Sequence, residues 1–219
     1  MEITRLDEQL ARSVLLSSFK RGFRSVAIAF IHSYLNSSHE NRVAEIAREV
    51  GYTQISTSSG TSRLIKLVSR GDTTVVDAYL SPILRRYINQ VSEELKADKG
   101  GVKSLFFMQS SGGLVDSGSF QGRDAILSGP AGGVVGMVKT GELAGFKKLI
   151  GFDMGGTSTD VCHFSGHYER SFETEIAGVR MRAPMMNIHT VAAGGGSILS
   201  FQDGRYQVGP GSAGANPGP

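Results

Sequence analysis

The sequence predicts an α/β fold, because segments with helical apolar spacing alternate with short segments that are apolar throughout. Apolar positions recur at helical spacing over residues 1–20. Residues 25–31 then read Ser-Val-Ala-Ile-Ala-Phe-Ile, which is typical of a buried parallel strand. A helix over residues 39–50 and a strand over residues 52–57 repeat this order. The amino-terminal part is therefore predicted as helix, strand, helix, strand.

Composition narrows the class of protein. Hydrophobic residues make up 40% of the chain and charged residues 20%, as in soluble globular proteins. The net charge is +3, but the basic residues are scattered, which argues against nucleic-acid binding. The single cysteine, Cys162, excludes an internal disulfide and suits a reducing compartment. No segment resembles a signal peptide or a bilayer span, so we expect a cytoplasmic protein that binds no membrane.

A small polar segment at residues 57–62 predicts a domain boundary, which divides the chain into residues 1–60 and residues 61–219. Helical spacing resumes from Val76 to Leu95 and predicts a long helix. Pro82 lies inside this helix and is expected to kink it or to split it in two. Tyr79 and Tyr87 are expected to face the core.

Residues 104–109 predict a buried strand that ends at Ser-Ser-Gly-Gly, residues 110–113. Ligands of open α/β sheets bind at the carboxyl ends of strands, so Ser110, Gly112 and Gly113 are candidates for a substrate loop. A glycine turn without a ligand explains the same residues equally well.

A glycine-rich helix is predicted to begin at residue 128, where the sequence reads Ser-Gly-Pro-Ala-Gly-Gly-Val-Val-Gly. Ser128 can cap this helix, and Pro130 fits its first turn. Each internal glycine costs roughly 1 kcal/mol relative to alanine, so either another backbone or a ligand must come close. We favour packing against the hairpin that follows, with ligand contact confined to Ser128 and Gly129.

The most informative stretch is Ile-Gly-Phe-Asp-Met-Gly-Gly-Thr-Ser-Thr-Asp-Val, residues 150–161. An apolar run ends at Asp153, a Gly-Gly pair predicts a hairpin turn, and a strand pattern resumes at Val161. Successive amides in such a turn form an anion-binding concavity. A carboxylate beside it would hold Mg²⁺ directly or through water. A bare Asp-x-Gly-Gly hairpin needs no ligand, but the hydroxyls and the second acid, Asp160, favour nucleotide phosphate binding.

Two further segments downstream of the hairpin are rich in glycine. The glycine cluster at residues 194–196 can let a base or ribose lie against the backbone, although a triple glycine alone is a weak signal. Residues 203–219 are rich in turns and lack a core of their own, so we expect a fragment of a longer protein. The sequence contains no Gly-x-x-x-x-Gly-Lys-Ser/Thr loop and no Gly-x-Ser-x-Gly elbow.

In order and spacing, these motifs resemble the hydantoinase A / 5-oxoprolinase family, and most closely its 5-oxoprolinase branch. The matching segments are Arg70, Asp-Ala-Tyr-Leu-Ser-Pro at 77–82, Met-Gln-Ser-Ser-Gly-Gly-Leu at 108–114, Leu-Ser-Gly-Pro-Ala-Gly-Gly-Val-Val-Gly at 127–136, the hairpin sequence at 152–161, Ala-Gly-Gly-Gly-Ser at 193–197 and Val-Gly-Pro-Gly-Ser-Ala-Gly-Ala at 208–215 followed by Pro-Gly-Pro at 217–219. Ser-His-Glu at 38–40 resembles the end of the family's amino-terminal region.

The resemblance implies actin-like, ribonuclease-H-like ATPase lobes, here the end of the first lobe and the start of the second. The implied reaction is ATP-dependent hydrolysis of a cyclic amide: pyroglutamate, ATP and water give glutamate, ADP and phosphate. The implied cofactors are ATP and Mg²⁺, and the implied partner is a hydantoinase B-like subunit or domain. Alternatives are a hydantoin hydrolase, an ATP-dependent ketone carboxylase subunit, or a non-catalytic nucleotide-binding module.

The resemblance also implies residue roles. Asp153 would be the catalytic residue and would order Mg²⁺ or its water. The phosphate would be held by Gly155, Gly156, Thr157, Ser158, Thr159 and Asp160, with Asp160 supporting the turn, and the nucleoside would face Gly194, Gly195 and Gly196. Two departures stand out: the family's first phosphate loop is absent from this chain, and Ser-Ser-Gly at 58–60 replaces the family's Ser-His-Glu.

Overall fold

A computed structural model describes residues 4–95, 102–176, 178–214, 216 and 218. The chain divides into two compact units. The first unit contains Met1–Gln109, Leu114–Ile126 and Phe172–Pro184, and the second contains Ser110–Gly113, Leu127–Ser171 and Met185–Pro219. The domain boundary predicted at residue 60 stays a prediction.

The first unit begins with the predicted order of elements. It consists of α1 (Glu8–Lys20), β1 (Ser25–Ile28), α2 (Ser38–Val50) and β2 (Gln54–Thr57). The predicted first helix starts only at Glu8, where Asp7 accepts a hydrogen bond from the Leu10 amide, and residues 1–3 lie outside the described part. The two strands pair in parallel, as the apolar run at residues 25–31 predicts. Their core is formed by Leu15, Ile28, Val43, Ala44, Ile46, Ala47 and Tyr52.

The predicted long helix is one continuous helix, α4 (Leu67–Glu94), so Pro82 does not split it, and the alternative of a kink at Pro82 stays a prediction. Tyr79 and Tyr87 are also not in the core, since they are 72% and 57% exposed. The face of α4 that is buried is largely polar. It consists of Ser69, Arg70, Thr73, Thr74, Asp77, Ala78, Ser81 and Ile88. The apolar periodicity of the sequence therefore predicts the helix, but it does not predict which face of the helix is buried.

Three side chains of the first unit, Glu40, Ser58 and Arg70, form what we call the buried polar cluster; each is fully buried. Ser58 lies in α3 (Ser58–Thr61), a short helix formed within the polar segment at residues 57–62. The Ser58 hydroxyl donates to Glu40 Oε1 at 2.5 Å and accepts from Arg70 Nε at 2.9 Å. The hydroxyl therefore bridges two buried charges that form no ion pair in the described structure.

Glu40 and Arg70 also form hydrogen bonds with backbone groups. Glu40 accepts hydrogen bonds from the amides of Phe30 and Ser59, at 2.9 and 2.8 Å. Arg70 donates to the carbonyl oxygens of Leu64 and Phe30, at 2.8 and 2.6 Å. Burial raises the pKa of Glu40, but hydrogen bonds from Ser58, Ser59 and Phe30 outweigh it, so the pKa lies below its ordinary value.

The segment predicted as a buried strand forms a hairpin of β3 (Phe106–Met108) with β4 (Leu114–Asp116). The pairing is antiparallel, and Phe106 is 56% exposed. Residues 109–113 are therefore a hairpin turn and not the carboxyl end of a parallel strand. The predicted substrate loop therefore does not lie at the carboxyl end of a strand in an open parallel sheet.

The second unit is built on α5 (Ser128–Leu143) and a three-stranded antiparallel sheet. The sheet contains β5 (Lys148–Met154), β6 (Thr159–Ser165) and β11 (His189–Val191), in the order β11-β6-β5. The short strand β7 (Arg170–Ser171) lies between β6 and β11 in the sequence but outside this sheet. The second unit also contains β10 (Met185–Met186), β12 (Ser197–Gln202) and β13 (Arg205–Ser212), whereas β8 (Thr174–Ile176) and β9 (Val179–Met181) belong to the first unit. Within the described residues, no helix is both long and apolar enough to cross a membrane.

Candidate phosphate-binding site

The predicted glycine hairpin is present in the second unit. Strands β5 and β6 pair from Lys148↔Ser165 to Met154↔Thr159, and residues 155–158, here called the hairpin tip, connect them. Gly155, Gly156 and Thr157 are exposed. The motif is thus presented on a regular two-stranded support with its backbone accessible.

The amides of the hairpin tip divide into two groups. The Gly155 amide donates to the Ser158 carbonyl at 2.9 Å, which closes the turn. The amides of Gly156, Thr157 and Ser158 donate to no residue that the structure describes. Consecutive amides without internal acceptors form the concavity that binds anions in other proteins. The tip therefore has donors available for a phosphate.

Two carboxylates lie beside this tip. Asp153 and Asp160 are directly opposite each other across β5 and β6, an arrangement that is unfavourable without a positive charge between or near them. Thr190 of β11 donates to Asp160 Oδ1 at 2.6 Å, which supports the predicted structural role of Asp160. Sequence reasoning did not identify Thr190, because the register of β11 against β6 cannot be read from the sequence.

The same carboxylates line a pocket of about 340 Å³ within the second unit. Its other walls are contributed by α5 and by the apolar residues of the sheet, and they are Pro130, Gly133, Val134, Met137, Ile150, Gly151, Phe152, Cys162 and Ile188. Cys162 is half-buried, and burial raises the pKa of its thiol. No group of three or more His, Cys, Asp or Glu side chains in the described parts of the chain could hold a metal ion.

Thr159 is placed differently from the exposed residues of the tip. Its side chain is buried, and its hydroxyl donates to the Ala193 carbonyl at 2.6 Å. The hydroxyl proton is therefore already used inside the protein. The predicted contact of Thr159 with phosphate stays a prediction, and the geometry gives Thr159 a structural function that accounts for its burial.

The second glycine cluster lies directly on the hairpin tip. The amides of Gly195 and Gly196 donate to the carbonyl oxygens of Gly155 and Gly156, at 2.9 and 2.7 Å. Gly194 and Gly196 are buried, whereas Gly195 is exposed. The requirement for small residues is thus explained by contact with the tip, and the nucleoside-binding role of this cluster stays a prediction.

The candidate substrate-loop residues lie in the second unit. Ser110 is buried, its hydroxyl accepts from the Leu127 amide at 2.9 Å, and its carbonyl accepts from the Met186 amide at 2.7 Å. Gly112 has a φ of +82° and packs against Met186. These contacts explain both residues structurally, and Gly113 lies in the same turn. Their role towards substrate stays a prediction.

Helix α5 starts at Ser128, so its N-cap residue is Leu127, which makes no side-chain cap hydrogen bond; the predicted cap by Ser128 is not formed. Gly129, Gly133 and Gly136 have no atom within 4 Å of an added Cβ. Close packing against the following hairpin occurs nearer the end of α5, where an added Cβ at Gly141 would lie 2.5 Å from the Leu149 side chain. The early glycines of α5 therefore leave open space, and Gly133 borders the pocket.

Comparison with known proteins identifies the family. The hydantoinase/oxoprolinase family model matches residues 70–219, and the model of the hydantoinase/oxoprolinase N-terminal region matches residues 1–51. The chain belongs to the hydantoinase/oxoprolinase family. The resemblance noted in the sequence is thereby confirmed.

Individual relatives agree with this assignment. The chain is 48% identical to a 5-oxoprolinase of Saccharomyces cerevisiae over 99% of its length, and 48% identical to a 5-oxoprolinase of Dictyostelium discoideum over 95%. It is 36% identical to the caprolactamase subunit alpha of Pseudomonas jessenii over its whole length. The chain spans 17% of the length of each of the two 5-oxoprolinases and 32% of the caprolactamase subunit.

Two solved structures share the fold. The ATP-dependent caprolactamase from Pseudomonas jessenii matches all of the chain with a TM-score of 0.83 and 34% identity, the chain covering 32% of that protein. Nucleotide-free acetone carboxylase, an enzyme of ATP-dependent acetone carboxylation, matches 97% of the chain with a TM-score of 0.80 and 27% identity, the chain covering 31% of it. The predicted fold class, α/β lobes of the ATPase fold of this family, is confirmed.

Proposed function

We propose that this chain carries the phosphate-binding hairpin of an ATP-dependent hydrolase that opens a cyclic amide. The observation that carries the proposal is the hairpin tip, where the amides of Gly156, Thr157 and Ser158 have no acceptor among the described residues. A hydrogen bond to a charged group contributes about 1.5–3 kcal/mol, so three such donors can bind the terminal phosphates of ATP strongly. The roles that follow are parts of this proposal.

The opposed carboxylates fit a magnesium ion. Mg²⁺ is commonly bound through one or two carboxylates, water and substrate phosphates, so a site without a cluster of three protein ligands suits it. Asp153 would hold the ion directly or through water, while Asp160, fixed by Thr190, supports the turn. When bound, the ion would neutralise charge on the phosphates.

The protein would contribute to phosphoryl transfer mainly by positioning the reacting groups. Phosphoryl transfer requires little covalent chemistry from side chains and depends on alignment and charge stabilisation. The amides of the tip hold the phosphates, and the pocket between α5 and the sheet borders the carboxylates. Transfer of the γ-phosphoryl group from ATP to the lactam carbonyl oxygen would release ADP and make the carbonyl carbon susceptible to attack by water. Phosphate would then leave as the ring C–N bond opens.

The substrate favoured by similarity is 5-oxoproline. Identity to the two 5-oxoprolinases is 48%, against 36% for the caprolactamase subunit and 27% for acetone carboxylase. ATP turnover assayed with pyroglutamate, with a hydantoin and with a ketone plus bicarbonate would separate these activities. Turnover with a ketone but not with pyroglutamate would favour the carboxylase alternative. A hydantoinase B-like subunit or domain remains the proposed partner.

The experiment that tests the proposal is Asp153→Asn in the full-length protein. We expect loss of ATP turnover with an unchanged circular dichroism spectrum, because the exposed carboxylate supports no described hydrogen bond. Asp203→Asn is the matched control, since it makes the same change in the exposed turn between β12 and β13, where asparagine before glycine is equally suitable. Unchanged turnover in Asp153→Asn would remove Asp153 from the site.

A further inference from the structure

The loop that follows β11 contacts the hairpin tip on its carbonyl side. The Gly195 amide donates to the Gly155 carbonyl at 2.9 Å, and the Gly196 amide donates to the Gly156 carbonyl at 2.7 Å. These two hydrogen bonds join backbone groups that are about forty residues apart in the sequence, so they fix the tip from outside its own hairpin.

Holding these carbonyls also sets the direction of two free amides. In a planar trans peptide, the carbonyl of one residue and the amide of the next point in opposite directions. When Gly195 fixes the carbonyl of Gly155, the amide of Gly156 must point away from the loop. The bond to the Gly156 carbonyl does the same for the Thr157 amide. Two of the three available donors are thereby oriented.

Packing makes the arrangement specific for glycine. A Cβ on Gly194 would lie 2.5 Å from the Gly155 oxygen and 2.7 Å from the Gly156 carbonyl carbon. A Cβ on Gly196 would lie 2.9 Å from the Gly156 oxygen. All three atoms belong to the backbone of the tip, so no side-chain rotation can relieve these contacts, and any larger residue must displace the tip.

Two side chains hold the loop in place. The buried Thr159 hydroxyl donates to the Ala193 carbonyl at 2.6 Å, which ties the loop to the first residue of β6. The Ser197 hydroxyl accepts from the Gly194 amide at 2.9 Å. The loop is therefore braced at both ends.

We infer that residues 193–196 form a positioning loop, which orients the phosphate-binding amides of Gly156 and Thr157 by hydrogen bonding to the opposite side of the hairpin tip. This inference rests on the proposed function of the tip. It assigns the buried glycines Gly194 and Gly196 to the orientation of phosphate and not to contact with the nucleoside.

The test is Gly194→Ala in the full-length protein, with inhibition of ATP turnover by tripolyphosphate and by adenosine as the readout. We expect the inhibition constant of tripolyphosphate to rise about tenfold or more, because charge-assisted hydrogen bonds to the tip are misaligned. The inhibition constant of adenosine should stay within about twofold. The reverse pattern, a loss for adenosine alone, would overturn the inference, and so would equal losses for both.

Gly136→Ala is the matched control, since it adds the same methyl group in the same unit at a position with no atom within 4 Å. If Gly194→Ala does not fold, Ser197→Ala decides the matter, because it removes only the acceptor of the Gly194 amide. We expect about a threefold rise in the tripolyphosphate constant, no change for adenosine, and recovery in Ser197→Thr, which restores the hydroxyl. Equal values for Ser197→Ala and wild type would then contradict the positioning role.

Failure of the inference differs from failure of the proposed function. If the wild-type protein hydrolyses ATP and Asp153→Asn does not, but tripolyphosphate inhibits Gly194→Ala as strongly as wild type, only the positioning loop is refuted. If the wild-type protein hydrolyses no ATP, or if tripolyphosphate does not inhibit its ATP turnover, the phosphate site is refuted and the positioning loop with it.

Discussion

The buried polar cluster of the first unit and the hairpin tip of the second unit treat their polar groups in opposite ways. Glu40, Ser58 and Arg70 are fully buried, and each charged group is satisfied by protein hydrogen bonds. At the tip, the amides of Gly156 and Thr157 are exposed and donate to no described residue. Polar groups that are buried and fully hydrogen-bonded within the protein indicate a structural role, whereas exposed amides without an acceptor indicate a binding site for a ligand.

The largest expected effect on stability concerns the buried polar cluster. Arg70→Met should lower the free energy of unfolding by about 3–5 kcal/mol, because it leaves the buried Glu40 charge and several acceptors uncompensated. Urea unfolding measures this loss. Arg12→Met is the matched control, since the Arg12–Glu49 pair is 47% exposed on both sides and should contribute only about 0–1 kcal/mol. Equal losses in the two variants would mean that the cluster does not stabilise the fold.

A smaller effect is expected from the carboxylate of the cluster. Glu40→Gln places an NH₂ group where the carboxylate accepts from backbone amides, which should cost about 1–3 kcal/mol at pH 7. Because the folded pKa of Glu40 is lowered, its contribution is present above the ordinary pKa near 4.5 and is lost as the pH falls through the folded value. The stability difference between wild type and Glu40→Gln should therefore narrow on acidification below about pH 4.5.

Urea unfolding of both proteins between neutral and acidic pH measures this difference. Glu49→Gln is the control, since Glu49 is exposed and lies outside the cluster. A difference between wild type and Glu40→Gln that stays constant over the acidic range would contradict the assignment of the charge to Glu40.

The smallest effect on stability is expected at the tip. Thr157→Ala should change the free energy of unfolding by less than about 0.5 kcal/mol, because the exposed side chain has no hydrogen-bond partner in the described structure. The same variant should weaken ATP binding by up to about tenfold if the hydroxyl donates to phosphate. Thermal unfolding with and without ATP·Mg²⁺ measures both quantities. A stability loss of several kcal/mol without nucleotide would place Thr157 in the scaffold.

Elements with strong local patterns could be predicted from the sequence. The alternation of α1, β1, α2 and β2 follows from apolar periodicity, and the hairpin at residues 148–165 follows from a Gly-Gly turn between two strand patterns. Gly51 follows the last apolar residue of α2 and ends the helix in a left-handed conformation, which glycine adopts readily. In these cases the deciding information lies within a few neighbouring residues.

Features that depend on distant partners could not be predicted. The buried polar cluster joins Glu40 on α2, Ser58 on α3 and Arg70 on α4, and no local pattern indicates that a helix will bury its polar face. Tyr79 and Tyr87 are exposed although the sequence predicts them in the core, because periodicity does not show which face of a helix is covered.

The second glycine cluster illustrates the same limit within the candidate site. The sequence predicts that a base or ribose can lie against the backbone of residues 194–196, and the structure shows the backbone of the hairpin tip in close contact with Gly194 and Gly196. A ligand and a protein backbone impose the same requirement for glycine, so composition alone could not distinguish them. Only the three-dimensional position of Gly155 and Gly156 makes the distinction.

The most direct test of the central claim is a structure of the full-length protein with Mg²⁺ and a non-hydrolysable ATP analogue. The hairpin account predicts phosphate oxygens at hydrogen-bonding distance, about 2.7–3.2 Å, from the amide nitrogens of Gly156, Thr157 or Ser158. It also predicts that the Gly155 amide stays bonded to the Ser158 carbonyl. Phosphates bound elsewhere, with the amides of the tip donating to other protein groups, would contradict it.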